Sequence, residues 1–166
     1  MIKKIILAAA LALPVFASAQ SVKIGLVDTN AVMTSLPEMK TAQEKMEATA
    51  KSYQDEYNKL GEEMNRKLEE FKAMKEDEPA AIKERKTREL EDFNQKIQQF
   101  QQQADQDLTK LQQDLLMPIQ QKVRDAIQSV GKEGGYTLIQ ELQQQLFYAA
   151  PAADITADVK AKLGVK

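Results

Sequence analysis

The chain has 166 residues, 43% hydrophobic and 29% charged, with 5% aromatics and no His, Cys or Trp. Without imidazole or thiol it has no base, nucleophile or soft metal ligand poised near neutral pH, which excludes most zinc sites and the Ser-His and Cys-His mechanisms. No disulfide can hold the fold, carboxylate-only catalysis gets no positive support, and neither an enzyme nor a cofactor is expected.

Residues 1-19 read as a secretory signal peptide. Lys3 and Lys4 form its charged start, Ile5 to Leu13 its apolar run, and Ala17-Ser18-Ala19 its cleavage site. The apolar run is too short to span a bilayer, and no Cys follows to carry a lipid. Loss of Lys3 and Lys4 lowers the 23 basic residues to 21 against 25 acidic ones, a net charge of −4. The mature chain is expected to be exported, with no stable membrane insertion and no nucleic-acid partner.

Next, Ser21 to Asp28 reads as a strand, with Val22, Ile24 and Leu26 alternating with Lys23 and Gly25. Asp28 is placed to cap a short helix through Met33. Ser35-Leu36-Pro37-Glu38 has the form of a capping box and marks the start of a long helix.

From about Glu38 to Val130 the pattern predicts one long antiparallel helical hairpin. Apolar residues at Met46, Ala50, Tyr53, Tyr57, Leu60 and Met64 alternate steps of four and three, the heptad of a supercoiled helix. The rhythm misses at Gln43 and Lys67. It returns at Leu90, Phe93, Ile97, Phe100 and Ala104, then slips by a four-four stutter to Leu108 and Leu111. Between the arms, Asp77 is placed to cap and Pro79 to enter the first turn of the return helix. Arms of about 40 residues would reach roughly 60 Å, too long for a compact domain, so the hairpin must project. Lys83, Arg85, Lys86 and Arg88 cluster past the tip, either as a solvated face or as an anion or lipid site. Pro118 should kink the second arm near the root.

That helix is expected to end near Gly131, with Gly134-Gly135 as the break. Tyr136 to Ile139 reads as a second strand and Leu146 to Ala149 as a third. A closing amphipathic helix carries Ile155, Val159 and Leu163 and stops at Gly164. The fold class is thus mainly α with a small β body. The expected division is 1-19 signal peptide, 20-36 and 132-166 body, and 37-131 hairpin. Three short strands make too small a core and leave open edges, so several copies should pool them into a shared sheet or barrel. The candidates for that contact are Val22, Ile24, Leu26, Leu138, Ile139, Phe147 and Tyr148.

Three blocks carry a resemblance: Ile24-Gly25-Leu26-Val27-Asp28, Ser35-Leu36-Pro37-Glu38, and Phe147-Tyr148-Ala149 followed by Asp154-Ile155-Thr156-Ala157-Asp158-Val159. With their order, spacing and the export signal, the mature chain resembles the Skp (OmpH-like) family of periplasmic chaperones. The resemblance implies a homotrimer with a small β-barrel body and three hairpin tentacles around a cavity. It implies binding of unfolded outer-membrane proteins in the periplasm without ATP, and the chain has no Gly-rich phosphate loop. The familiar members are strongly basic whereas this mature chain is mildly acidic, which counts against electrostatic capture of acidic clients and against lipopolysaccharide binding.

A holdase needs many weak apolar contacts on an adaptable surface. Tyr53, Tyr57, Met64, Phe71, Met74, Phe93 and Phe100 are the candidates for client contact, and the same residues would also zip the two arms together. Two other classes stay open at this level: an exported coiled-coil adaptor for a dedicated envelope partner, and a carboxylate-dependent enzyme on envelope polymers.

Overall fold

A computed structural model describes residues 22–149 and 151–165. The signal-peptide reading of residues 1-19 lies outside the described residues. The elements run β1 (Ile24–Val27), α1 (Thr29–Thr34), α2 (Pro37–Lys72), α3 (Ala80–Glu133), β2 (Leu138–Glu141), β3 (Ala153–Asp154) and α4 (Thr156–Lys162). The chain is mainly helical, with one small sheet.

The sheet is parallel throughout, in the order β2-β1-β3. A parallel neighbour needs a long crossover, and here the whole hairpin serves as the crossover from β1 to β2. In register, Ile24 lies opposite Leu138 and Val27 opposite Glu141. The third strand is not Leu146 to Ala149, which forms no strand. The far side of β1 is taken instead by Ala153–Asp154, with Gly25 opposite Ala153 and Leu26 opposite Asp154. Leu146 and Phe147 are left in solvent at 106% and 83% exposure. The second strand also begins later than Tyr136, whose ring lies under the Lys23 ammonium, 4.2 Å from its centroid.

Local chemistry explains the helix ends. Asp28 caps α1 as expected, its carboxylate accepting from the Ala31 N–H at 2.8 Å. That bond comes first among the causes holding the Asp28 carboxyl below its ordinary range, with Gln143 second. Ser35 does not form the expected box. Its hydroxyl donates to the Val32 carbonyl at 2.6 Å and closes α1, so α2 starts from Leu36 with Pro37 in its first turn. Glu38 reaches across to Lys122 instead. Asp77 does not cap α3, whose N-cap is Pro79 with no side-chain bond. Nor does α3 end at Gly131. It continues to Glu133, and Gly135 takes the left-handed conformation at φ 65° that L side chains avoid. The Tyr136 N–H then closes back on the Gly131 carbonyl at 2.9 Å, a Schellman turn.

The core gathers where α1, α4 and the last turns of α3 cover the sheet. Val32, Ile155 and Val159 have no exposed surface, and Val123, Ala126 and Val130 of α3 pack with them. The return helix is therefore not only an arm: it outruns α2 and ends as part of the body. At 1.5 Å per residue its 54 residues reach about 80 Å, against about 54 Å for the 36 residues of α2. Of the contact candidates for a second copy, Val22, Leu138, Phe147 and Tyr148 are exposed and Ile24 and Ile139 half-buried. Leu26 is only 1% exposed and is already spent within its own chain.

Candidate functional site

The site is built on the facing seams of α2 and α3. Their register is fixed by contacts from root to tip. Glu38 pairs with Lys122 at the root, and Lys86 with Glu70 at 3.6 Å near the tip. The Lys122 partner is the first cause holding Glu38 below the ordinary carboxylate range. Buried Ala42 and Ile119 belong to the root core, so Ala42 fills the seam beside the heptad miss at Gln43. The second miss is accounted for as well. Lys67 lays its ammonium over the Phe93 ring, 5.4 Å from the centroid, and Lys96 does the same from the return helix.

Full burial along the arms is sparse. Leu60, Phe93 and Ala104 are buried, whereas Met64, Phe71 and Met74 are half-buried beyond them. Helical spacing puts Ala50, Tyr53, Gln54 and Tyr57 on one face of α2. Phe100, Gln101, Asp105 and Leu108 form the facing stretch of α3, and together they line an open hollow of about 530 Å³. The Tyr53 and Phe100 rings meet at 5.9 Å between centroids, tilted by 59°. Tyr57 remains 38% exposed.

Between the ion pairs at root and tip, a further polar bond crosses the middle of this apolar seam. The Tyr53 hydroxyl donates to an Asp107 oxygen at 2.8 Å, and Gln103 donates to the other at 2.9 Å. The Asp107 bond is the main cause raising the Tyr53 phenol above its ordinary value, followed by burial. Asp107 stands three residues after Ala104, where an unbroken heptad would place an apolar side chain. The stutter in the sequence is thus the trace of a carboxylate in the seam. A polar pair set among apolar seam residues favours one register over its neighbours more than it adds stability.

Of the seven client-contact candidates, the hollow collects Tyr53, Tyr57 and Phe100. Phe93 is sealed in the seam at 7% exposure, and Met64, Phe71 and Met74 lie toward the tip, away from the hollow. Asp105, Gln54 and Gln101 also stand on its wall; Asp105 and Gln54 carry no signal in the sequence, and Gln101 only that of a Gln-rich tract that suits a solvated helix or an uncharged contact surface equally. Two further hollows, of about 410 and 440 Å³, open at the root: one beside Pro118 and Leu115, the other between Met39, Met46 and Leu116. Helix α3 runs unbroken through Pro118. The basic cluster is absorbed by its neighbours. Arg85 pairs with Glu89 at 3.7 Å, Lys86 with Glu89 at 3.1 Å, Arg88 with Glu84, and Lys83 donates to the Glu76 carbonyl at 2.8 Å. Lys86 is the leading cause holding Glu89 below the usual carboxylate range.

Among the described residues no group of acidic side chains is placed to hold a metal, and no helix is long and apolar enough to cross a membrane. The geometry is that of an extended, partly open apolar seam. The family model described as outer membrane protein (OmpH-like) matches residues 23–163. No curated protein matches the chain. With nearly all the described chain inside one family match, the chain belongs to the OmpH-like family, periplasmic proteins with a chaperone-type role toward outer-membrane proteins.

Proposed function

We propose that the protein is an ATP-independent periplasmic holdase that keeps unfolded outer-membrane proteins from aggregating in a cavity between hairpin tentacles. The family match over residues 23–163 carries this reading. The half-exposed seam supports it, because an unfolded chain is held by many weak apolar contacts and not by one deep pocket. Export follows from the leader at residues 1-19, with cleavage after Ala19.

The cavity requires more than one copy, and the reading includes a homotrimer whose strands pool into a small barrel. Five of the seven large exposed apolar side chains among the described residues belong to the body: Val22, Leu138, Leu146, Phe147 and Tyr148. They accompany a sheet whose outer edges are unpaired within one chain, a hazard that assembly removes. Lipopolysaccharide plays no part in the reading, since the mature chain is mildly acidic and its basic cluster is paired internally.

The test dilutes an outer-membrane β-barrel protein out of urea with and without the mature chain, no nucleotide present. Suppressed light scattering and a soluble complex at about one trimer per client are expected. Aggregation of the client beside a folded, oligomeric protein would contradict the reading and leave a coiled-coil adaptor as the better one. A monomeric mass at micromolar concentration would contradict the trimer.

A further inference from the structure

The chain treats its two aromatic stations differently. At Phe93 the ring is already covered by its own cations, Lys67 and Lys96. At the mid-hairpin hollow, Tyr53, Tyr57 and Phe100 gather without any: no Lys or Arg is among the lining residues. Asp105 lines the same hollow, is exposed, and among the described residues makes no ion pair. On α2, Lys51 and Lys59 are engaged along their own helix, Lys51 with Asp55 at 2.8 Å and Lys59 with Glu56 at 3.4 Å. Aromatic faces attract cations through their quadrupole, and a carboxylate on the same wall adds to that attraction. The hollow therefore offers what Phe93 already has filled.

We propose that this hollow is a subsite for a lysine or arginine side chain of the unfolded client, flanked by apolar client residues on Ala50 and Leu108. The proposal rests on the holdase reading and gives it a charge preference. The client segments selected here are cationic and apolar, matching the net charge of −4 on the mature chain. The aliphatic stem of the client's lysine or arginine would lie along the seam while its head meets Asp105 and the rings.

The test uses the full mature protein and two fluorescent unstructured peptides, one of leucine, serine and lysine, the other with glutamate for each lysine. At low salt the lysine peptide is expected to bind more tightly by roughly threefold to tenfold, the size of one exposed cation–π contact plus one exposed ion pair. Asp105→Asn should abolish most of that preference, and Tyr57→Leu should reduce it. Asp92→Asn removes the same charge from an exposed position on the same helix and should leave the preference intact. Equal loss in Asp92→Asn and Asp105→Asn would overturn the subsite and leave only a general charge effect. Equal affinity for both peptides would also overturn it. Asp105 is exposed, so Asp105→Asn decides the matter if Tyr57→Leu loses helicity by circular dichroism. A client kept soluble on dilution without any peptide preference sinks only this inference, whereas failure to hold both client and peptides sinks the holdase reading with it.

Discussion

The body and the hairpin of this protein are packed to different standards. In the body, Val32, Ile155 and Val159 have no exposed surface, and Leu36 has 1%. Along the arms most seam residues stay half-exposed, a hollow stands open between Tyr57 and Phe100, and a tyrosine–carboxylate bond crosses the middle. A dry core has one good arrangement and resists change, because its side chains fill the space that their neighbours leave. A half-wet seam has lower local stability and can open without unfolding the rest. The contrast gives a rigid base with an adaptable hairpin.

The largest effect should come from the body. Ile155→Ala removes a fully enclosed side chain and should cost about 2–5 kcal/mol, near the upper end because the site cannot collapse. Thermal melting should then lose the whole molecule in one step. Leu60→Ala, at 5% exposure in the seam, should cost about 2 kcal/mol, the low end of the same range, because the arms can close on the gap. Its signature is faster hydrogen exchange in the arms with the body unchanged. If both variants loosen the same amides equally, the two-standard picture is wrong.

Gly61→Ala sharpens the comparison in the opposite direction. Gly61 lies inside α2, and a Cβ there would meet no atom within 4 Å. The helix should gain about 0.5–1 kcal/mol from the loss of glycine's backbone freedom, seen as a small rise in melting temperature and slower exchange around that turn. The mildest effect is that of acid. Glu38 and Glu133 are held below their ordinary value of 4.5, first by Lys122 and Lys162 respectively, and Asp28 below 3.8 by its helix-capping bond. A carboxyl whose folded value is depressed adds stability above its ordinary value, and that stability fades as pH falls through the folded one. Melting temperature should therefore hold from neutral pH down to about 5 and decline only below the ordinary carboxyl values.

How much of this was legible depended on how local its cause was. The hairpin could be read because its heptads repeat over tens of residues, and the Asp28 cap because its partner, Ala31, is three residues away. The third strand could not. Leu146-Phe147-Tyr148 looks like a strand by composition, yet pairing depends on which distant segment reaches β1, and Ala153–Asp154 does. Ser35 and Glu38 fit a capping box by spacing, but a neighbouring helix claims the serine and Lys122 on the other arm claims the glutamate. The parallel sense of the sheet left no mark on strands this short. In the candidate site, the aromatic members were legible from their period. Asp107 left a trace as the slipped heptad, and Asp105 none, because an exposed acidic residue on a helix looks the same with or without a hollow beside it.

On the holdase reading, clients are held by the loosely packed seam and not by the body. The most direct measurement is hydrogen exchange of the mature protein, free and loaded with an unfolded outer-membrane protein. New protection is expected at residues 50–57 and 100–108, where the hollow lies, with the body amides unchanged. Protection confined to the sheet edge and residues 146–148, with the arms exchanging as before, would contradict it.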